Sequence, residues 1–305
     1  MIFRKTSVLL GTLFGIFAAS EAALAQSGGD RHISDSLNML LAVQTVECDI
    51  RIETIVNGKE YTARGRYEEQ ALPRPNLSSF FRSMYRLDIN FSMNSPMFDN
   101  SEPNRMTLVC YSSEEGDQRL MERYTSIEGV KSFGMIDLTR LEGRLKEVNR
   151  EMVFTQVSEV RNLGGLSGMM RQIQRFYEFS SPVKESLQDE EMIPALKLTG
   201  KLRNVHHKEL LKKFGGLSQS GGYPADFPSD IEIWLGQHND FPYKIRYLRR
   251  ASEKSDQKNL LLQETFYKVV LNGASIHASR FSPLPPPDGV FPKDETDNFI
   301  KELGL

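Results

Sequence analysis

Residues 229–249 contain two alternating runs either side of a short polar turn, and this pattern restricts the fold most. Ile231, Ile233 and Leu235 share one face, and Asp230, Glu232 and Trp234 share the other. After the turn Tyr243, Ile245 and Tyr247 alternate with Lys244, Arg246 and Leu248. A repeat of two residues is the signature of a strand with one buried face, so the stretch predicts an antiparallel hairpin. Pro242 lacks an N–H and belongs at the start of the second strand or on an edge. Trp234 falls on the face opposite the aliphatic set. Either both faces of the hairpin are covered, or the indole lies near a rim.

The same period recurs earlier. Val46, Cys48, Ile50 and Ile52 oppose Glu47, Asp49, Arg51 and Glu53. Asn57-Gly58 is the strongest short hairpin signal, because both turn residues need positive φ. Tyr61, Ala63, Gly65 and Tyr67 then alternate with Thr62, Arg64 and Arg66. Further strands are expected over 84–93, 106–112 and 118–127, making a meander of about five. The period then changes. Asp137 caps a helix carrying Leu138, Leu141, Leu145 and Val148, and a second helix over 166–179 presents Leu166, Met169, Ile173, Phe176 and Tyr177. A strand over 196–203, a short helix after Asn204 and a strand over 261–271 follow. A short edge strand is expected at 279–281 and a last helix over 296–303. Strands, then helices, then strands predict an α+β fold: a strongly curved, unclosed antiparallel sheet with helices over its concave apolar face. One domain over 26–305 is expected; the Gly/Ser/Pro-rich stretch 219–228 is the natural boundary if there are two.

The N-terminus predicts export. Arg4 and Lys5 precede an apolar run over 7–19, and Ala23-Leu24-Ala25 is a small-x-small cleavage site, placing the cut after Ala25. That run is shorter than the ~20 residues of a spanning helix, and no later stretch is long enough, so an integral membrane protein is not expected. The product should be periplasmic or secreted. A net charge of −2 over 305 residues argues against a nucleic-acid binder that works by bulk electrostatics. In an oxidising compartment Cys48 and Cys110 have two readings, a disulfide or two buried thiols on strand faces.

Motifs for chemistry are sparse. The five histidines lack metal-site spacing, so no metal or cofactor is expected. Gly165-Leu166-Ser167-Gly168 misses the nucleophile-elbow pattern by one position. The pairs Glu68-Glu69, Glu114-Glu115 and Glu190-Glu191 point to opposite faces wherever they sit on strands, and read as solvated turns and edges. Arg246, Arg249 and Arg250 read as a solvated strand end. No catalytic residue is expected. The 12 methionines suit either a core or a pliable apolar binding surface.

The order of short motifs resembles the LolA-like lipoprotein-carrier superfamily. It comprises Thr45-Val46-Glu47-Cys48-Asp49-Ile50, the Asn57-Gly58 hairpin with Gly65-Arg66-Tyr67, Ile233-Trp234-Leu235 through Phe241-Pro242-Tyr243-Lys244-Ile245, and the closing Pro287-Asp288-Gly289-Val290 with Asp294-x-Thr296. The closest look is to large secreted LolA-like proteins of planctomycete-type bacteria. The resemblance implies an unclosed barrel around an apolar cavity and a non-catalytic carrier of the acyl chains of lipoproteins or lipids. The cavity would be lined by Val46, Ile50, Leu87, Ile89, Phe91, Ile231 and Ile233 from strands, and by Ile173 and Phe176 from a helix. A second reading is a protein-interaction module of envelope stress signalling, with envelope proteins as partners.

Overall fold

The computed structural model describes residues 28–56, 59–72, 82–93, 104–113, 118–127, 129–148, 164–188, 192–213, 215–218, 221–286, 290–303 and 305. The leader 1–25, the Asn57-Gly58 turn, Glu114-Glu115, Glu190-Glu191 and Pro287-Asp288-Gly289 lie outside them. Helix α1 (Gly28–Ala42) opens the described residues, followed among them by six strands: β1 (Thr45–Val56), β2 (Lys59–Ala71), β3 (Ser83–Met93), β4 (Asn104–Ser112), β5 (Arg119–Ile127) and β6 (Val130–Asp137). Helices α2 (Leu138–Glu147) and α3 (Gly165–Phe176) come next. Then follow β7 (Tyr177–Phe179), β8 (Val183–Gln188), β9 (Met192–Leu202), helix α4 (Asn204–Lys213), β10 (Asp230–Gly236), β11 (Pro242–Arg250) and β12 (Lys258–Leu271). A short 3₁₀ turn (Ala278–Phe281), β13 (Lys293–Asp294) and α5 (Thr296–Glu302) end the chain.

All thirteen of these strands join one unclosed sheet in the order β13-β6-β5-β4-β3-β2-β1-β12-β11-β10-β9-β7, with β8 also paired to β9. Every pairing is antiparallel except β13 with β6. The two meanders meet at a seam where β1 runs beside β12, with Ile50 opposite Phe266. The expected α+β class and helix-covered sheet are what is found.

Period-two alternation sends Ile50, Tyr67, Leu87, Leu108 and Ile233 to one face. Against that face pack Ile33, Leu37 and Leu40 of α1 and Leu166, Met169, Met170, Ile173 and Phe176 of α3, forming the main core. Each such aliphatic side chain contributes about 1.5–3 kcal/mol on full burial. Leu138, Leu141 and Leu145 of α2 extend the core, and Asp137 caps that helix by accepting from Arg140 N–H at 3.0 Å.

The outer face has covers of its own. Val109, Tyr111, Tyr124 and Phe133 are roofed by Ile276, Phe281 and Leu284 from the segment around the 3₁₀ turn. Leu284 N–H and Tyr111 Oη–H both donate to the buried Glu122 carboxylate, each at 2.7 Å. Trp234 is buried too. It packs on Leu187 and Ala195, lies under the ammonium groups of Lys197 and Lys244, and donates from its indole nitrogen to Glu185 at 2.8 Å. Both faces of the 229–249 hairpin are therefore covered.

Of the two readings of Cys48 and Cys110 the structure takes the second, buried thiols with no disulfide between them. They sit on β1 and β4 with two strands between them, about 14 Å at ordinary strand spacing, whereas a disulfide needs Cα atoms within about 7 Å. Other expectations are corrected. The first meander has six strands; β6 buries only Phe133, Gly134 and Ile136, so its alternation is too weak to read in the sequence. The helix expected over 166–179 stops at Phe176. Tyr177 turns extended, and Tyr177 and Phe179 are buried on β7 while Glu178 is exposed. The edge strand expected at 279–281 is a 3₁₀ turn, capped by the His277 ring nitrogen accepting from Ser279 N–H.

Candidate functional site

A cavity of about 220 Å³ opens at one end of the helix-covered face. The end of α1 supplies Leu40 and Leu41, and the following turn supplies Val43 and Gln44. Val46 comes from β1, Glu69 and Ala71 from β2, Ser83 from β3 with Arg82 just before it, and Ser167 from α3. The local chain path is fixed by backbone bonds. Val43 N–H donates to Met39 C=O at 3.0 Å, Ala71 N–H to Gln44 C=O at 2.9 Å, and Leu72 N–H to Arg82 C=O at 3.0 Å. Aliphatic and polar side chains share the lining: Val46 is the direct cross-strand partner of Glu69, and Ala71 of Ser83.

That carboxyl is Glu69. Its side chain is on the apolar face of β2, two residues after Tyr67, and is 6% exposed. Tyr67 Oη–H donates to Oε2 at 2.6 Å and Ser83 Oγ–H donates to Oε1 at 2.5 Å. Leu166 N–H, in the first turn of α3, donates to Glu69 Oε2 and to Tyr67 Oη, both at 3.1 Å. The unpaired amides and dipole at a helix start favour such an oxygen. Gly165 makes the approach feasible. Its φ is +62°, and a Cβ there would lie 2.6 Å from Glu69 Oε1 and 2.9 Å from Tyr67 Oη. Burial pushes the Glu69 carboxyl above its ordinary range, although the bonds from Ser83, Tyr67 and Leu166 pull the other way. The Tyr67 phenol, fully buried beside this carboxyl, is pushed well up.

The nine residues expected to line a cavity are all on the inner face. Val46, Ile50, Leu87, Ile89, Ile173, Phe176, Ile231 and Ile233 are buried in the main core, and Phe91 is half-buried against it. Of the nine, Val46 lines the cavity. The others belong to the main core or pack against it. Sequence reasoning missed Glu69, Ser83, Ser167 and the aliphatic wall from α1. The signal for Glu69 was present: an acidic residue in register with Ala63, Gly65 and Tyr67, where the alternation calls for an apolar one.

Neither residue of the Glu68-Glu69 pair is solvated. They do point to opposite faces, but Glu68 is also buried, held by Arg66 at 3.0 Å and Arg280 at 2.7 Å on the outer side. The basic cluster at 246–250 is likewise structural. Arg250 pairs with buried Asp230, while Arg249 donates to the carbonyls of Tyr223 and Pro224. His207 bonds Tyr223 at 2.9 Å, and the His206 ring meets Phe176 edge-on. Among the described residues no cluster of His, Cys, Asp and Glu could hold a metal ion, and no helix is long and apolar enough to cross a membrane.

No protein-family model matches the chain, and no curated protein does. Solved structures similar to it include LolA superfamily proteins. One, from Nitrosomonas europaea, is 9% identical over 84% of this chain and 98% of that one, with a TM-score of 0.26. A DUF1329 family protein from Desulfovibrio piger is 10% identical, covering 84% and 98%, with a TM-score of 0.36. The MucA/MucB complex of Pseudomonas aeruginosa matches at 10% identity and a TM-score of 0.36, over 84% of this chain but 61% of that one.

Proposed function

We propose that this chain is an exported, periplasmic binding protein for the acyl chains of lipoproteins or lipids, acting without covalent chemistry. The observation that carries the reading is the cavity on the helix-covered face, lined by Leu40, Leu41, Val43, Val46 and Ala71 together with Gln44, Glu69, Arg82 and two serines. An acyl chain enters between Leu40 and Leu41 of α1 and Val46 and Ala71 of the sheet, and its polar end meets Gln44 and Arg82. The resting volume is below the roughly 300–1,000 Å³ of sites for drug-sized ligands, so it takes only the end of a long chain. A full chain is accommodated when α1 moves off the sheet and the inner faces of Ile50, Leu87, Ile89, Phe91, Ile231 and Ile233, with Ile173 and Phe176 of α3, become its walls. Burial of about 0.8 kcal/mol per methylene favours that opened state.

Native mass spectrometry of the protein purified from its own host tests this. A bound species of lipid mass is expected, and a fluorescent fatty acid should bind and be displaced by it. Ala71→Trp fills the cavity and should abolish probe binding with the fold intact. Protein that carries no lipid and binds no probe ends the proposal; a stoichiometric envelope protein in its place favours the interaction-module reading.

A further inference from the structure

What the cavity can bind depends on where its hydrogens go. Glu69, Ser83 and Ser167 are its deeply buried polar side chains, each more than nine-tenths out of solvent. An ionised carboxylate only accepts, and a hydroxyl has one hydrogen to give. Ser83 gives its hydrogen to Glu69 Oε1 at 2.5 Å. Ser167 aims its own at the Gly164 carbonyl at 3.5 Å. Both hydroxyl oxygens are then left with lone pairs alone. Tyr67 Oη–H and Leu166 N–H hold the other carboxylate oxygen, Oε2, at 2.6 and 3.1 Å. Among the described residues these three donors reach a group with about four acceptor sites, and Oε1 keeps one.

The deep part of the cavity is therefore rich in acceptors. Donors lie further out: Gln44 is exposed and Arg82 half-buried, and both carry N–H groups. Val46 and Ala71, the cross-strand partners of Glu69 and Ser83, put aliphatic surface directly beside the acceptors. An ester or a free carboxylate brings acceptors alone, and burying it here sets lone pair against lone pair. An alkyl ammonium answers Glu69 but offers the outer N–H groups nothing. An amide brings both halves. Its N–H answers the buried acceptors, its C=O answers the outer donors, and its chain lies on the aliphatic surface.

We infer that the cavity selects acyl chains in amide linkage, with Glu69 Oε1 and Ser83 Oγ as the acceptors that discriminate against esters and free acids. This rests on the acyl-chain reading above and narrows it. The test is displacement of the fluorescent fatty acid by matched twelve-carbon competitors, at about pH 8, where the Glu69 carboxyl is ionised. N-methyldodecanamide and methyl dodecanoate differ only in N–H against O, and the amide should compete roughly tenfold or more better. N,N-dimethyldodecanamide keeps the carbonyl, loses the hydrogen and should fall to the level of the ester. Glu69→Gln puts an NH₂ group in place of one accepting oxygen and should shrink the preference to about twofold or less, while the ester still binds. Equal competition by amide and ester, or a preference that survives in Glu69→Gln, overturns the inference and leaves the acyl-chain reading standing. If no competitor displaces the probe or shifts the thermal midpoint, that reading fails and this one with it. The species carried by protein purified from its host gives an independent answer. An N-acylated polypeptide and a small N-acyl lipid differ in mass, and either supplies the amide; a ligand that loses all its chains to mild alkali holds them as esters and overturns the inference.

Discussion

The two faces of this sheet are held by different physics. The inner face is mostly apolar, packed by α1 and α3, with buried carboxyls at Glu69, where it meets the start of α3, and at Glu264, beside Ile52 and Ile245. The outer face is a lattice of ion pairs, roofed locally by the segment around Ala278–Phe281 and by the group around Trp234. Adjacent residues display the contrast. Glu68 and Glu69 are both buried, yet one is neutralised by two guanidinium groups and the other is held by a phenol, a hydroxyl and a backbone amide. Charge is therefore cheap on one side of the sheet and costly on the other.

That difference orders the expected effects of substitution. Ile173→Ala opens a cavity in the inner core and should cost about 2–5 kcal/mol in urea unfolding; an effect as small as that of an outer ion pair would break the contrast. Glu69→Ala leaves Tyr67, Ser83 and Leu166 N–H without their acceptor and should cost about 2–3 kcal/mol. Arg280→Ala leaves Glu68 with Arg66 alone, and about 1 kcal/mol is expected by the same measurement. Lys268→Ala removes an exposed pair with Asp49 and should cost under about 0.5 kcal/mol.

The pH dependence sharpens the comparison, because the two faces have opposite signs. Burial raises the Glu69 carboxyl above 4.5, so the folded state holds its proton more tightly than the unfolded chain. Its contribution is full below that value and is lost as pH climbs through the raised one. Asp230 is pushed up by burial, but hydrogen bonds from Arg250, Lys258 and Ser229 outweigh this and hold it below 3.8. Its contribution is present above 3.8 and lost as pH falls through the lower folded value. Thermal midpoints across the acid range should show wild type losing ground to Glu69→Gln as pH rises above 4.5, and losing its lead over Asp230→Asn as pH falls below 3.8. Slopes of the same sign would contradict the assignment.

Much of the inner face was legible in the sequence, since alternation is a local signal. The faces of β1, β2, β3, β10 and β11, the Asp137 cap and the placement of Ile50 or Ile233 all follow from spacing. What escaped depends on partners distant in the chain. The thiols of Cys48 and Cys110 are kept apart by strand order, and Ala278–Phe281 coils because Arg280 reaches Glu68 and Asp88. Glu69 reads locally as half of a solvated pair, because the start of α3 that meets it lies 97 residues on.

The seam between β1 and β12 has a consequence for how the molecule is made. Ile50 meets Phe266 only after nearly the whole chain exists. A polypeptide synthesised from its N-terminus can assemble β1 to β6 early, but the far side of β1 then presents an open row of amides and carbonyls until 258–271 arrives. Pairings so distant in sequence form slowly and leave sticky intermediates. The nascent protein thus has a built-in interval of vulnerability in which a holdase would be of most use, and that interval closes when β12 docks.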